Sequence, residues 1–303
     1  MAEIILHHYA MSPFSEKIRK ILAHKRVSWR GVDQPAIMPK PKLTPLTGGY
    51  RRVPVMQIGA DVYCDTGIIV RKLEELFPDP TLYPGNSEGL CHAIGLWADR
   101  RLFLSVIAVV FEKMGPMMPK EFIEDRQKLM GGASLAELLQ TAPDARNQVR
   151  AFLAMLDGQL LDRPFLLGNA FSLADAACFH CLWFMRNEPA SFAMVQGSAG
   201  LMRWFERIDA MGHGNMQPMD PDEALTIARA SASPTHVIAD PADPNGLEPG
   251  MKVSVTADDY GFEAVRGTVV ALSTYEIAIE REEPTLGKIV VHFPKVGFRI
   301  QRV

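Results

Sequence analysis

The sequence predicts three successive units: an α/β domain over residues 1–80, an all-α helical bundle over 87–230 and a small all-β barrel over 247–303, with 231–246 as linker. Strand-like alternation and helix-like recurrence of apolar residues take turns over the first unit. From Glu88 to about Arg229 nearly every periodic segment is helical. A stretch rich in Ser, Pro, Asp and Gly at Ser231–Pro249 marks a boundary, and only short strand patterns follow it.

In the first unit Glu3–His8 reads as a strand, and Ser12-Pro13 opens a helix with Phe14, Ile18, Ile21 and Leu22 on one face. Val27–Val32 is a second strand, and Pro35, Pro39, Pro41 and Pro45 break the next stretch into irregular loop. Val53–Ile58 and Val62–Cys64 form a hairpin across Gly59-Ala60-Asp61, and Thr66–Phe77 is a helix stopped before Pro78. The order is β-α-β-loop-β-β-α. Gly115-Pro116, Gly131-Gly132, Pro143, Pro164 and Gly212–Gly214 punctuate the helical unit. Lys252–Thr256, Ala264–Leu272, Glu276–Arg281, Lys288–Phe293 and Phe298–Val303 are the strands of the barrel.

Composition excludes several classes of function. Net charge is −3, with 32 basic against 35 acidic residues, so no overall field recruits nucleic acid or an anionic membrane. The longest apolar run, Leu102–Phe111, is about half the ~20 residues a membrane span needs and contains Ser105. With Cys64, Cys91, Cys178 and Cys181 too irregular for a disulfide framework, a cytoplasmic protein is expected. Cys178-Phe-His-Cys181 has metal-ligand spacing but lies in an apolar helix without a second Cys/His pair, and His7-His8 lie along a strand, so no metal is assigned. The barrel's basic residues, among them Lys252, Arg266 and Arg281, are offset by acidic ones, and its aromatics make no stacking stripe for RNA.

The chemistry concentrates at Ser12-Pro13-Phe14-Ser15-Glu16-Lys17, where strand gives way to helix. Pro13 suits the first helical position and Ser12 the N-cap, a purely structural role contributing about 1 kcal/mol. The same helix end offers free N–H groups and partial positive charge to an anion. Lowering a thiol pKa from about 8.5 by about two units takes roughly 2.7 kcal/mol. One hydroxyl donor to the thiolate contributes about 1.5–3 kcal/mol and the helix end about 0.3–1 more. Cys64-Asp65-Thr66-Gly67 is a second strand-to-helix corner, where Asp65 or Thr66 caps the helix. Ser172 and Asp175, in Gly168-Asn-Ala-Phe-Ser-Leu-Ala-Asp175, stand at capping-box spacing.

The run SPFSEKIRKIL resembles the active-site turn of cytosolic glutathione transferases in their serine-using classes (tau, theta and zeta). Arg52-Val53-Pro54-Val55, Cys64-Asp65-Thr66-Gly67 and the capping-box run are similar to further family segments in the same order. The resemblance implies a thioredoxin-like first domain, a helical second domain and an added SH3-like barrel that is not a standard part of the family. It implies that Ser12 is catalytic, donating to the glutathione sulfur, with Phe14, Ser15, Lys42, Val53, Pro54, Asp65 and Thr66 binding glutathione. Val53 precedes an expected cis-proline and pairs with the tripeptide's cysteine, while Lys40 or Lys42 reaches the glycyl carboxylate. Met11, Trp97, Arg101 and Met114 are expected to border the pocket of a hydrophobic electrophile.

The resemblance further implies glutathione as co-substrate, no metal, a homodimer and a detoxifying conjugation or glutathione-dependent reduction. No cysteine occupies position 12 or 15, which argues against a mixed-disulfide mechanism. Asp65-Thr66 departs from the family's Glu-Ser or Gln-Ser pair, and Thr47-Gly48-Gly49-Tyr50-Arg51 reads as an insertion. These departures keep open an alternative: a non-catalytic glutathione-binding scaffold.

Overall fold

A computed structural model describes residues 3–303. Strand β1 (Ile4–His8), helix α1 (Pro13–His24) and strand β2 (Ser28–Asp33) form a parallel β-α-β unit. The single turn α2 (Thr44–Thr47) interrupts the Pro-rich loop, and the hairpin β3 (Val55–Ile58) and β4 (Asp61–Cys64) leads into α3 (Thr66–Leu76). β1 lies between β2 and β3, which explains why Ile4, Ile5, Leu6 and His7 are all buried: an inner strand covered on both faces needs no alternation. His7 is accommodated by donating to Gln57 Oε1 at 2.9 Å and accepting from Gln34 at 3.2 Å, and burial lowers its pKa to about 4. This neutral ring is spent on protein partners.

The second unit contains α4 (Glu88–Trp97), which runs through a π-helical turn at Ala98–Leu102 into α5 (Phe103–Met114). It continues with α6 (Lys120–Leu129), α7 (Leu135–Gln140), α8 (Ala142–Gln159), α9 (Leu173–Met185), α10 (Pro189–Gln196) and α11 (Ala199–Asp209). α9 is buried on almost every side, which suits its apolar sequence, and its start is a polar anchor. There Ser172 Oγ accepts from Asp175 N–H and Asp175 Oδ2 accepts from Ser172 N–H at 3.0 Å. Trp204 Nε1 and Leu166 N–H also donate to that carboxylate, at 2.9 and 2.8 Å. Cys178 and Cys181 are buried free thiols, their pKa values pushed up by burial.

Asn215–Pro218, within the stretch expected to be wholly helical, is instead a strand, β5, parallel to β2; α12 (Pro221–Ala230) follows and packs Ala224 and Ile227 on Ile5 and Val32. All of β5 is exposed, so no alternation marked it in the sequence.

The C-terminal strands β6 (Lys252–Ala257), β7 (Val265–Leu272), β8 (Glu276–Glu283) and β9 (Gly287–Pro294) form an antiparallel meander, and β10 (Phe298–Arg302) returns beside β6. The expected all-β unit is therefore present, but it is fused to the first: β9 pairs in parallel with β4, making one ten-stranded sheet ordered β10-β6-β7-β8-β9-β4-β3-β1-β2-β5. Leu43, Val55 and Val62 share one core with Val255, Ile279 and Phe293. The insertion-like segment is the seat of this union. A Cβ on Gly48, at φ 72°, would stand 2.5 Å from Arg281 Nε, and the Tyr50 ring packs 5.9 Å from Phe293. Residues 231–246, expected to cross few contacts, are also tied down: Ser233 and Thr235 hydroxyls donate to Asp61 Oδ1, and Ile238 pairs with Ala271.

At the junction the buried His292 ring donates from Nε2 to Asp61 at 2.8 Å and from Nδ1 to Glu276 at 2.5 Å, which requires the doubly protonated form. Burial opposes that charge, but the hydrogen bonds and charges of Asp61 and Glu276 prevail and raise the pKa above 6.5. The imidazolium therefore adds full stability below the unfolded value of 6.5, and this is lost as pH rises through the higher folded value. We expect the urea midpoint of the wild type to fall above neutral pH more steeply than that of His292→Gln. Asp61→Asn, which removes one of the ring's two charged partners, is expected to lose about 3 kcal/mol in the same measurement at pH 6.

Candidate active site

β1 ends at His8, the chain turns through Tyr9–Met11, and Ser12 takes an extended conformation (φ −74°, ψ 117°) before Pro13 starts α1. Ser12 Oγ accepts from Ser15 N–H at 3.2 Å. Among the described residues its own hydroxyl hydrogen has no acceptor, so a buried O–H remains available to donate at a helix N-terminus. Glu16, one turn on, faces away into a buried ionic cluster with Arg19 (2.8 Å), Lys20 (3.4 Å) and His213 (2.9 Å). Burial would raise its pKa, but the His213 hydrogen bond and the neighbouring cations bring it down to about 2. The helix is thereby fixed to the chain before β5.

Two cavities meet at this helix start. The polar one, about 610 Å³ including its mouth, is lined by Val53, Pro54, Asp65, Thr66 and Asp99, among others. The Val53–Pro54 peptide bond is cis. Asp65 holds φ at 96°, a strained conformation for a non-glycine residue, and caps α3 by accepting from Gly67 N–H at 2.8 Å. Burial raises its pKa, with the Gly67 hydrogen bond and Arg52 opposing. Thr66 Oγ1 accepts from Lys17 Nζ at 3.3 Å, Lys17 pairs with Asp99 at 2.7 Å, and His180 Nε2 donates to Asp99 at 3.0 Å. Burial would raise the Asp99 pKa, yet Lys17 and His180 hold it below the usual carboxylate value. A continuous polar chain thus joins α3, α1, the π turn and α9.

The second cavity is an apolar groove of about 1320 Å³ including its mouth. Ser12 and Phe14 stand at one end, and Phe103, Ile107, Phe111, Phe122, Leu135 and Phe184 make its walls. Lys40 lines its polar margin, where burial and then the Arg126 charge lower its pKa to about 8. Phe14, Arg52, Val53 and Tyr260 line both cavities and form the passage between them. This arrangement presents hydrogen-bonding groups to a polar molecule on one side and an apolar surface on the other, with Ser12 on the apolar side next to the passage residue Phe14.

Of the residues singled out from sequence, the structure brings Ser12, Phe14, Val53, Pro54, Asp65 and Thr66 around this junction. Ser15 is buried beneath it, its hydroxyl without a partner among the described residues, and lines neither cavity. Lys42 is exposed and paired with Asp222. The residues expected to border an electrophile are not among those lining the groove: Met11 is 52% exposed, Trp97 packs edge-on to Phe152 of α8 and Arg101 meets Gln148 of α8. Met114 lies in the core beyond Phe111, the last α5 residue in the groove. Lys17, Arg52, Asp99, His180 and Tyr260 were not recognised. Lys17 and Arg52 belong to quoted motifs but were given no role there, whereas Asp99, His180 and Tyr260 reach the site only through tertiary folding.

A thioredoxin-like sheet joined to a helical bundle, with its site at the α1 N-terminus beside a cis-proline, defines a glutathione-transferase-like protein. The family model "Glutathione S-transferase, N-terminal domain" matches residues 6–81, and "Glutathione S-transferase, C-terminal domain" matches 132–207. A GST-like protein from Pseudomonas syringae is 36% identical, superposes with a TM-score of 0.84 and covers 100% of both chains, the C-terminal strands included. The chain belongs to the glutathione S-transferase family. FtsZ-localized protein A of Caulobacter vibrioides is 28% identical over 181 residues, 58% of this chain and 74% of that protein. A probable glutathione S-transferase of Nicotiana tabacum is 23% identical over 209 residues, 68% of this chain and 84% of that one.

Ser12→Ala removes the cap of α1 and is expected to lower unfolding free energy by about 1 kcal/mol, measured as a reduced urea midpoint with unchanged slope. An unchanged midpoint would contradict the capping role.

Proposed function

We propose that the protein binds glutathione in the polar cavity, lowers its thiol pKa through Ser12 and the α1 N-terminus, and directs the thiolate at a hydrophobic electrophile in the adjoining groove. The observation that carries this reading is the Ser12 hydroxyl, buried, without an acceptor among the described residues, and lining the apolar groove two residues from Phe14, which lines both cavities. In this reading Val53 pairs through its backbone with the tripeptide's cysteine, and Asp65 and Thr66 receive its γ-glutamyl end. Lys40 is favoured over Lys42 for the glycyl carboxylate, because Lys40 lines the groove's margin while Lys42 is committed to Asp222. The thiol proton passes to solvent, and in a detoxifying conjugation the sulfur bonds to the electrophile's carbon as its leaving group departs. In the alternative reduction of a peroxide the sulfur attacks one oxygen, the O–O bond breaks, and a second glutathione releases water as the disulfide forms. A cytoplasmic homodimer that needs no metal, membrane or nucleic acid accords with this reading; no described helix is long and apolar enough to cross a membrane.

The similarity to a protein named FtsZ-localized protein A favours a second reading, a glutathione-binding scaffold without turnover. It predicts retained glutathione affinity with neither conjugation nor peroxide reduction across a broad panel of electrophiles.

Calorimetry tests the shared premise. Glutathione is expected to bind the wild type and to lose at least tenfold in affinity to Asp65→Ala; no binding to either would defeat both readings. The enzyme reading further expects Ser12→Ala to raise the bound thiol's pKa by about one unit, the size of a charged hydrogen bond, read from thiolate absorbance.

A further inference from the structure

The loop between β6 and β7 carries the C-terminal unit over the passage between the two cavities. Its attachments are specific: Asp258 pairs with Arg100 at 2.5 Å, Asp259 pairs with Arg52, and Glu263 pairs with Arg51 at 3.3 Å. Gly261 N–H donates to the Leu129 carbonyl at the end of α6, at 2.7 Å. Gly261 holds φ at 62°, and a Cβ there would lie 3.0 Å from Arg52 Nε and 3.1 Å from Leu129 Cδ1. Glycine therefore permits both the backbone conformation and the close approach.

These contacts set the Tyr260 ring 3.8 Å from the Arg52 guanidinium, and both side chains line both cavities. The stack fixes the ring, yet the phenol hydroxyl has no hydrogen-bond partner among the described residues. Arg52 Nε is also buried without an acceptor. The hydroxyl is thus a donor on a clamped side chain, open to a molecule held in the passage. A tripeptide paired with Val53 on the polar side, with its sulfur turned toward Ser12 on the apolar side, must carry that sulfur past Tyr260.

We propose that Tyr260, supplied by the C-terminal β unit, is a second catalytic donor of the site, giving its phenol hydrogen to the glutathione sulfur alongside Ser12. This rests on the reading that the polar cavity takes glutathione, and it gives the added unit a chemical role in the reaction. Burial raises the phenol's pKa well above its ordinary value, with the Arg52 charge opposing, so the group stays a donor throughout the range in which a glutathione thiol ionises.

The test uses the full chain with glutathione and compares wild type, Tyr260→Phe, Ser12→Ala and the double variant. Phenylalanine keeps the ring stacked on Arg52 and removes only the hydroxyl. The bound thiol's pKa is expected to rise by about one unit in Tyr260→Phe and further in the double variant, with glutathione affinity within about threefold of wild type. A role confined to packing would leave that pKa unmoved. If the wild type binds glutathione and Ser12→Ala shifts the pKa but Tyr260→Phe does not, the Tyr260 assignment is overturned and the site reading stands. If the wild type binds no glutathione, both fall.

Discussion

The parallel pairing of Asp61–Tyr63 with Val290–His292 is the contact on which the remaining architecture depends. Without it β4 would be an edge strand with unpaired backbone groups, a liability that proteins commonly cover or charge. β2, at the other side of the first sheet, is covered in the same manner by β5. Later chain segments thus close both edges of the N-terminal sheet. The first closure brings along a β unit whose β6–β7 loop reaches the site, and the second fixes α1 through His213 and Glu16. The His292 imidazolium reinforces the β4–β9 seam where Asp61, Glu276, Ser233 and Thr235 converge from three parts of the chain.

Seen from the site, these closures serve placement. The start of α1 supplies partial positive charge and the Ser12 hydroxyl, but neither selects a ligand alone. Selection comes from the difference between the two cavities that meet there: the Asp65 carboxylate, the Thr66 hydroxyl and the Val53–Pro54 segment on one side, and phenylalanine and leucine walls from α5, α6 and α7 on the other. The buried Lys17–Asp99–His180 chain keeps these sides in register by linking the first domain to the core helix of the second. Breaking one member would leave an uncompensated buried charge, which costs more than the pair contributes.

Much of this was legible in the sequence because it depends on local signals. The SPF turn, the hairpin and the capping box of α9 each declare themselves within a few residues, and the resemblance to glutathione transferases rests on those runs. What escaped depends on distant partners. β5 has no buried residue to mark it, and the β4–β9 pairing joins segments more than 220 residues apart, so neither leaves a periodic trace. Which face of α4 and α5 meets the groove depends on how these helices pack on α8, and a π turn at Ala98–Leu102 lies between them. Trp97 and Arg101 meet α8, and Phe103 and Ile107 meet the groove. The Gly48-Gly49 segment was noticed as unusual, but its purpose became visible only with Arg281 seated against it.

The central claim is that one ligand sulfur lies at the junction of the two cavities, at the α1 N-terminus. A crystal structure of the full chain with glutathione tests it most directly. The account predicts the cysteine backbone paired with Val53, the γ-glutamyl end at Asp65 and Thr66, and the sulfur within hydrogen-bond distance of Ser12 Oγ. Glutathione bound elsewhere, or seated there with its sulfur turned away from Ser12, would contradict it.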